Sequence, residues 1–157
     1  MYDKLDSLNQ VAAFHHTFQH PVEKKPVIPA ESRCALRVNL IAEELKELEE
    51  AIQDGDLVEI ADALCDIQYV LSGAVLEFGL ADKFVELFNE VQRSNMSKAC
   101  KSIAEAEATM AHYLDKKGEE CYYREVDGLY LVFRISDDKT MKSINYSPAD
   151  LKSILEK

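Results

Sequence analysis

The stretch EELKELEEAIQDGDLVEIADALCDIQYV, residues 43–70, decides how this chain is read. Apolar residues recur at helical spacing on both sides of Asp54-Gly55-Asp56, the pattern of two amphipathic helices joined by a tight turn. At 100° per residue, Glu43, Glu44 and Glu47 share an arc of about 100° on the first helix. Leu36, Leu40 and Ala51 fall among these acids, while Ile41, Leu45, Leu48 and Ile52 form the expected core stripe. On the second helix Asp62 and Asp66 lie within about 60° of Glu59. Val58, Ala63, Tyr69 and Val70 border them, and the opposite face carries Leu57, Ile60, Leu64, Ile67, Leu71 and Val75. A helix this apolar is expected at the centre of the fold, with its carboxylates partly buried.

Two readings of these acids stand. In an acidic protein a single such stripe is ordinarily a solvated helix face. Two stripes on consecutive helices, bordered by apolar residues and with few Lys or Arg nearby, favour bound cations, because a buried carboxylate is costly unless paired or coordinated. Hard oxygen donors without His or Cys suit Mg²⁺ or Mn²⁺. A di-iron bundle would use Glu-x-x-His pairs, and the sequence has none.

Working outward, residues 4–18 read as a helix, QHPVEKKPVIPAES as an extended connector with three prolines, and 32–53 and 57–78 as the two acid-bearing helices, the latter ending at Gly79. A fourth helix runs from Asp82 to about Lys98, with Phe84, Phe88 and Val91 as its inner face. Asn95 and Lys98 continue that face. Lys98 reads either as a partner for the helix C-terminal dipole or as a grip on phosphate oxygens; Asn95 and, in the terminal loop, Lys142 are candidates for the same grip. Ser102 with Glu105 is a capping-box pattern opening a fifth helix that closes on Gly118. CYYREVDGLYLVFRIS then carries the chain's hairpin signal at Asp127-Gly128, and Pro148 is the expected opening of a short last helix.

The 157 residues suit one domain, 1–157, with a net charge of -11 and 47% hydrophobic residues. That charge argues against a nucleic-acid surface. No apolar run reaches bilayer-spanning length, and MYDKLDSLNQ is not a signal-peptide pattern, so the expectation is a cytoplasmic protein with no membrane partner. Cys34, Cys65, Cys100 and Cys121 are too scattered for a zinc motif and read as reduced packing residues.

EELKE at 43–47 and EIAD at 59–62, with Asp66 one turn on, resemble the EExxE, spacer, ExxD pattern of the all-α NTP pyrophosphohydrolases, the MazG-like, phosphoribosyl-ATP pyrophosphohydrolase-like and dimeric dUTPase group. VAAFHHTFQHP, LRVNLIAEELKELEEAI, EVQRSNMSK and KSINYSPADL extend the likeness over most of residues 10–151, and residues 101–135 look like a helix-plus-hairpin insertion. The resemblance implies an all-α MazG-like bundle, assembled as a homodimer or homotetramer, to which the residue pattern adds a small C-terminal β-hairpin appendage. It implies cleavage of a nucleoside triphosphate between its α and β phosphates, as in house-cleaning of dUTP, dGTP or a modified nucleotide. By carry-over Glu44, Glu47, Glu59 and Asp62 would hold two to three Mg²⁺ (or Mn²⁺) ions, and Glu43 would orient or deprotonate the attacking water. Phe14, His15, Phe18 and Tyr146 are candidates for a base pocket, although an apolar stripe with a histidine such as Phe14, His15 and Phe18 is more often core; His16 and His20 have no evident partner. Phosphoribosyl-ATP hydrolysis and a noncatalytic cation-binding or interaction module are the alternative functions.

Overall fold

The computed structural model describes residues 5–157; Lys4, the first residue of the expected opening helix, lies outside them. The described chain is mostly helical: α1 (Ser7–Phe18), α2 (Glu31–Asp54), α3 (Leu57–Glu77), α4 (Ala81–Met96), α5 (Ile103–Lys117), then the strands β1 (Cys121–Val126) and β2 (Leu129–Arg134), and α6 (Leu151–Leu155). The helical class and the C-terminal hairpin are those read from the sequence. Contacts group the chain into two compact units, Met1–Val85 and Glu86–Lys157, with the boundary inside α4. None of the described helices is by itself long and apolar enough to cross a membrane.

In the first unit α2 and α3 form an antiparallel hairpin, and α1 packs on α3. The DGD turn works by two separate devices. Gly55 supplies the left-handed conformation that ends α2, and the Asp56 carboxylate caps α3 by accepting from Val58 N (2.9 Å) and Glu59 N (3.2 Å). The proline-rich connector is fastened to the far end of α3: Glu23 N donates to Leu76 O and Val27 N to Phe78 O, both at 3.0 Å. Gly79, at φ +65°, is required there twice over, since a Cβ would also stand 1.9 Å from Lys25 O.

Burial in α3 is concentrated in its second half, with Ala63 the one buried position before it. Ser72, Gly73, Val75, Leu76 and Glu77 are buried, whereas Leu57, Val58 and Leu64 are more than half exposed. The expectation of a central helix therefore fails for much of its first half, where Leu57, Val58 and Leu64 are left uncovered among the described residues. In the buried half sits a charge. Glu77 is 1% exposed and takes hydrogen bonds from Arg33 and Arg37, both from the first turns of α2. Arg37 also donates to His15 Nε2 (3.2 Å), and His15 Nδ1 donates to Pro21 O (2.9 Å), which fixes a neutral imidazole. Burial of His15 lowers its pKa accordingly. Burial alone would raise the pKa of Glu77, but the two guanidiniums hold it below the usual carboxylate range. Gly73 makes room for this cluster: a Cβ there would stand 2.5 Å from Arg37 Nη1.

The second unit packs α5 on the hairpin around Cys100, Ala106, Tyr113, Val132 and Met141. Ser102 caps α5 through Glu105 N (3.2 Å), and Glu105 reaches back to Lys101 N (2.9 Å), one residue earlier than a standard capping box. Asp127 and Gly128 both have positive φ, as a two-residue hairpin turn requires, and Val126 pairs with Leu129. The outer edge of β2 is covered by bridges to Cys100 and Thr140. Two details differ from expectation. Leu87 and Ser94, not Phe88, are the buried positions of α4. The last helix is opened by Asp150, whose carboxylate accepts from Ser153 N, and not by Pro148. All four cysteines are free.

Glu77→Gln leaves two guanidiniums without their buried counter-charge, and urea unfolding followed by circular dichroism is expected to show a loss of about 3–5 kcal/mol. A variant unfolding at the parent midpoint would show that the cluster does not hold the unit together.

Candidate functional site

The sequence-predicted acids lie on the half of the α2–α3 hairpin remote from Glu77. Glu44 and Asp66 are half-buried; Glu43, Glu47, Glu59 and Asp62 are exposed. Glu44 reports their mutual approach. Its carboxyl is pushed above the usual range first by burial, then by the charges of Glu47, Asp66, Glu43 and Asp62. Carboxylates from both helices thus share one region, as the periodicity implied. Glu59 sits at the turn, its backbone N–H engaged by the Asp56 cap. Among the described residues none of these six acids is paired with Lys, Arg or His, and the nearby Lys46 is taken by Glu50 on the outer face at 3.1 Å. No three His, Cys, Asp or Glu among the described residues stand in a preformed metal-chelating arrangement. The fit to a hard divalent ion is one of charge and donor type: neighbouring oxygen donors, one of them with its pKa raised by burial and by like charges that no ion pair among the described residues offsets.

Beside the Glu77 cluster, the first unit encloses a cavity of about 360 Å³. Phe14, His20, Tyr69 and Leu40 give it an apolar and aromatic wall, with His15 and Arg37 at its polar side. The Phe14 ring meets Tyr69 edge-on at 5.6 Å and stacks on His20 at 5.9 Å. Arg37 Nε is buried without a hydrogen-bond partner. Phe14 and His15 are therefore brought together as expected. Phe18 is not in the wall; it packs against Phe14 at 4.3 Å and is 60% exposed. His20, Tyr69 and Arg37 were missed in the sequence. The available signal was the Arg33/Arg37 pair, one helical turn apart at the start of a helix whose later half is rich in acids.

Asn95, Lys98, Lys142 and Tyr146 belong to the second unit. Asn95 is exposed on the last turn of α4; Lys98 lies beyond the helix, its carbonyl accepting from Ser143 N at 3.2 Å. Lys142 Nζ stands 4.3 Å from the Tyr146 ring centre, and Tyr146 Oη shares a hydrogen bond with Ser94 Oγ (2.8 Å). The pKa of Tyr146 is lowered by that bond first, and after it by the positive charges of Lys142, Lys98 and Arg93. Tyr146 is thus set among cations, in a different unit from Phe14 and His15.

The family model described as phosphoribosyl-ATP pyrophosphohydrolase matches residues 11–95, more than half of the chain and all six acids. The chain belongs to that family. It is thereby a member of the MazG-like all-α NTP pyrophosphohydrolase superfamily. An uncharacterized protein of Acanthamoeba polyphaga mimivirus, L479, is 35% identical over 82 residues, covering 50% of this chain. The chain spans about a third of that relative's length, 33%. Lys98, α5, the hairpin and Lys142 all lie past the end of the family match.

The raised Glu44 carboxyl has a signed consequence. Its protonation favours the fold, so its contribution to stability grows as pH falls through the folded pKa and levels off below the ordinary value of 4.5. Carboxyl-carbon NMR titration of the metal-free protein is expected to place Glu44 above that value and to bring it down in Glu47→Gln. A Glu44 that titrates at the ordinary value in both proteins would mean the acids do not converge.

Proposed function

We propose that this protein is a metal-dependent pyrophosphohydrolase that cleaves nucleoside triphosphates to a monophosphate and pyrophosphate. One observation carries the reading: like-charged carboxylates from α2 and α3 crowd a half-buried Glu44 with no ion pair among the described residues to offset them, inside the segment that matches the family. Such an arrangement is poor for a bare protein and suited to a cation-loaded one.

Glu44, Glu47, Glu59 and Asp62, with Asp66 as a further acid, are the residues to hold Mg²⁺ or Mn²⁺, two to three ions per site. When bound, the ions offset the substrate's negative charge, polarise the α-phosphoryl group and stabilise the departing pyrophosphate. Glu43 takes a proton from the water whose oxygen forms the new bond to the α phosphorus; the bond from that phosphorus to the bridging oxygen breaks, and its electrons leave with pyrophosphate. The Phe14, Tyr69 and His20 wall offers stacking surface for a base, and the spare Arg37 N–H offers a donor. Asn95, Lys98 and Lys142 are proposed to grip phosphate oxygens. The family's own description makes phosphoribosyl-ATP the second substrate to try.

A second copy of the chain is proposed to cover the hairpin. Val38, Leu45 and Ile52 on α2 and Leu57, Leu64 and Leu71 on α3 each recur every seven residues, and all six are exposed. Helices that carry such stripes pack against others of their kind.

Pyrophosphate release from a panel of canonical, deoxy and modified triphosphates and phosphoribosyl-ATP, assayed with Mg²⁺, tests the activity. The parent is expected to turn over at least one of them, and Glu47→Gln and Asp62→Asn to abolish release while keeping the parent circular dichroism. Both variants working at the parent rate would refute the site. Light scattering is expected to give at least twice the 17.8 kDa chain mass, falling to the monomer in Leu64→Asp; a monomeric parent would remove the second copy.

A further inference from the structure

The second unit contains a cavity of about 300 Å³ whose wall reverses the charge of the rest of the protein. In a chain of net charge -11, Lys98, Lys117, Lys139, Lys142 and Arg134 line it against a single carboxylate, Glu119. Arg134 is already neutralised, bound to Glu119 at 2.7 Å and to Asp137 at 2.6 Å. The four lysines are not: among the described residues no carboxylate pairs with any of their ammonium groups.

These lysines are assembled by the fold and are distant in sequence. Tyr113, buried in the core of the unit, is the hub. Its hydroxyl accepts from Lys142 N at 3.2 Å, and Lys117 Nζ stands 5.3 Å from its ring centre. Ser143 N donates to Lys98 O at 3.2 Å, so the Lys98 and Lys142 segments are fastened side by side. Arg134 N donates to Lys139 O at 3.0 Å, which ties the fourth lysine to the end of β2. Lys117 also complements the C-terminal dipole of α5, Lys142 rests over the Tyr146 ring and the charge of Lys139 is felt by Asp137, but none of these is a salt bridge. With Glu119 and Asp137 bound to Arg134, the four lysines carry an excess of positive charge, and their mutual repulsion is relieved by a polyanion.

We propose that this cavity binds a compact oligophosphate anion, the pyrophosphate or triphosphate moiety. The volume is that of about ten waters, enough for a short phosphate chain. Four ammonium groups match the charge of such a chain better than that of a monoanion, and lysine serves phosphate as a compact point charge. The site deepens the phosphate role proposed for Lys98 and Lys142, and rests on that reading only for the source of the anion. It assigns a task to α5 and the hairpin, whose Lys117 and Lys139 complete the ring.

Isothermal titration of the full chain with inorganic triphosphate, in EDTA so that no metal contributes, tests it. One anion per chain is expected, with affinity at least tenfold weaker in Lys117→Gln/Lys139→Gln, retained in Lys117→Arg/Lys139→Arg, and unchanged in the charge-matched control Lys46→Gln/Lys152→Gln. Competition with a nonhydrolysable α,β-methylene nucleotide separates the sources: displacement identifies the cavity's ligand as the nucleotide's own phosphate chain, and simultaneous binding identifies a separate phosphate compound, both supporting the site. No binding, binding indifferent to Lys117→Gln/Lys139→Gln, or equal weakening by the control pair overturns it. Failure of the hydrolytic reading shows differently, as absent pyrophosphate release with metal while metal-free anion binding persists.

Discussion

The first unit is organised by one buried carboxylate. Glu77, at the end of α3, accepts from two arginines a helical turn apart on α2, and through Arg37 it reaches His15 of α1. Charge taken out of water is tolerable only when it is compensated and hydrogen-bonded, so this contact specifies which residues of α2 lie against which residues of α3. With that end fixed and the Gly55-Asp56 turn closing the other, the register of the hairpin is set. The register in turn brings Glu44 and Glu47 toward Asp62 and Asp66.

The hairpin therefore handles carboxylates in two opposite ways. At the buried end the acid is matched by the chain's own cations and its pKa falls. Toward the turn several acids approach one another unmatched, and the pKa of Glu44 rises. The first pattern is what structural stability selects. The second is unfavourable for the ionised carboxylates, and it is the imbalance that the proposed cation would offset. The second unit shows the complementary imbalance, unmatched lysines about a cavity. As proposed, divalent ions would offset the first imbalance and an oligophosphate the second.

Local rules made much of this legible in the sequence. The DGD turn, the Ser102 cap, the Asp127-Gly128 hairpin and the gathering of Glu44, Glu47, Asp62 and Asp66 all follow from spacings within a few residues or one helix face. What escaped is nonlocal. Glu77 looks like an ordinary acid after an apolar run, and only its pairing with Arg33 and Arg37, some forty positions earlier, makes it structural. The lysine cavity draws on positions from 98 to 142, which no periodicity connects. The reading of α3 as central erred because hydrophobicity tells that a face is to be covered, not that this same chain covers it: Leu57 and Leu64 remain exposed. Tyr146 was grouped with Phe14 and His15 as an aromatic, where its surroundings are cationic.

Paramagnetic Mn²⁺ added to the protein while carboxyl-carbon resonances are recorded tests the central claim most directly. The account requires that, at substoichiometric metal, the signals of Glu44, Glu47, Glu59 and Asp62 broaden first and together, with Glu77 and the outer-face Glu50 unaffected. Uniform weak broadening of all exposed acids, with no preference for the α2–α3 set, would contradict it.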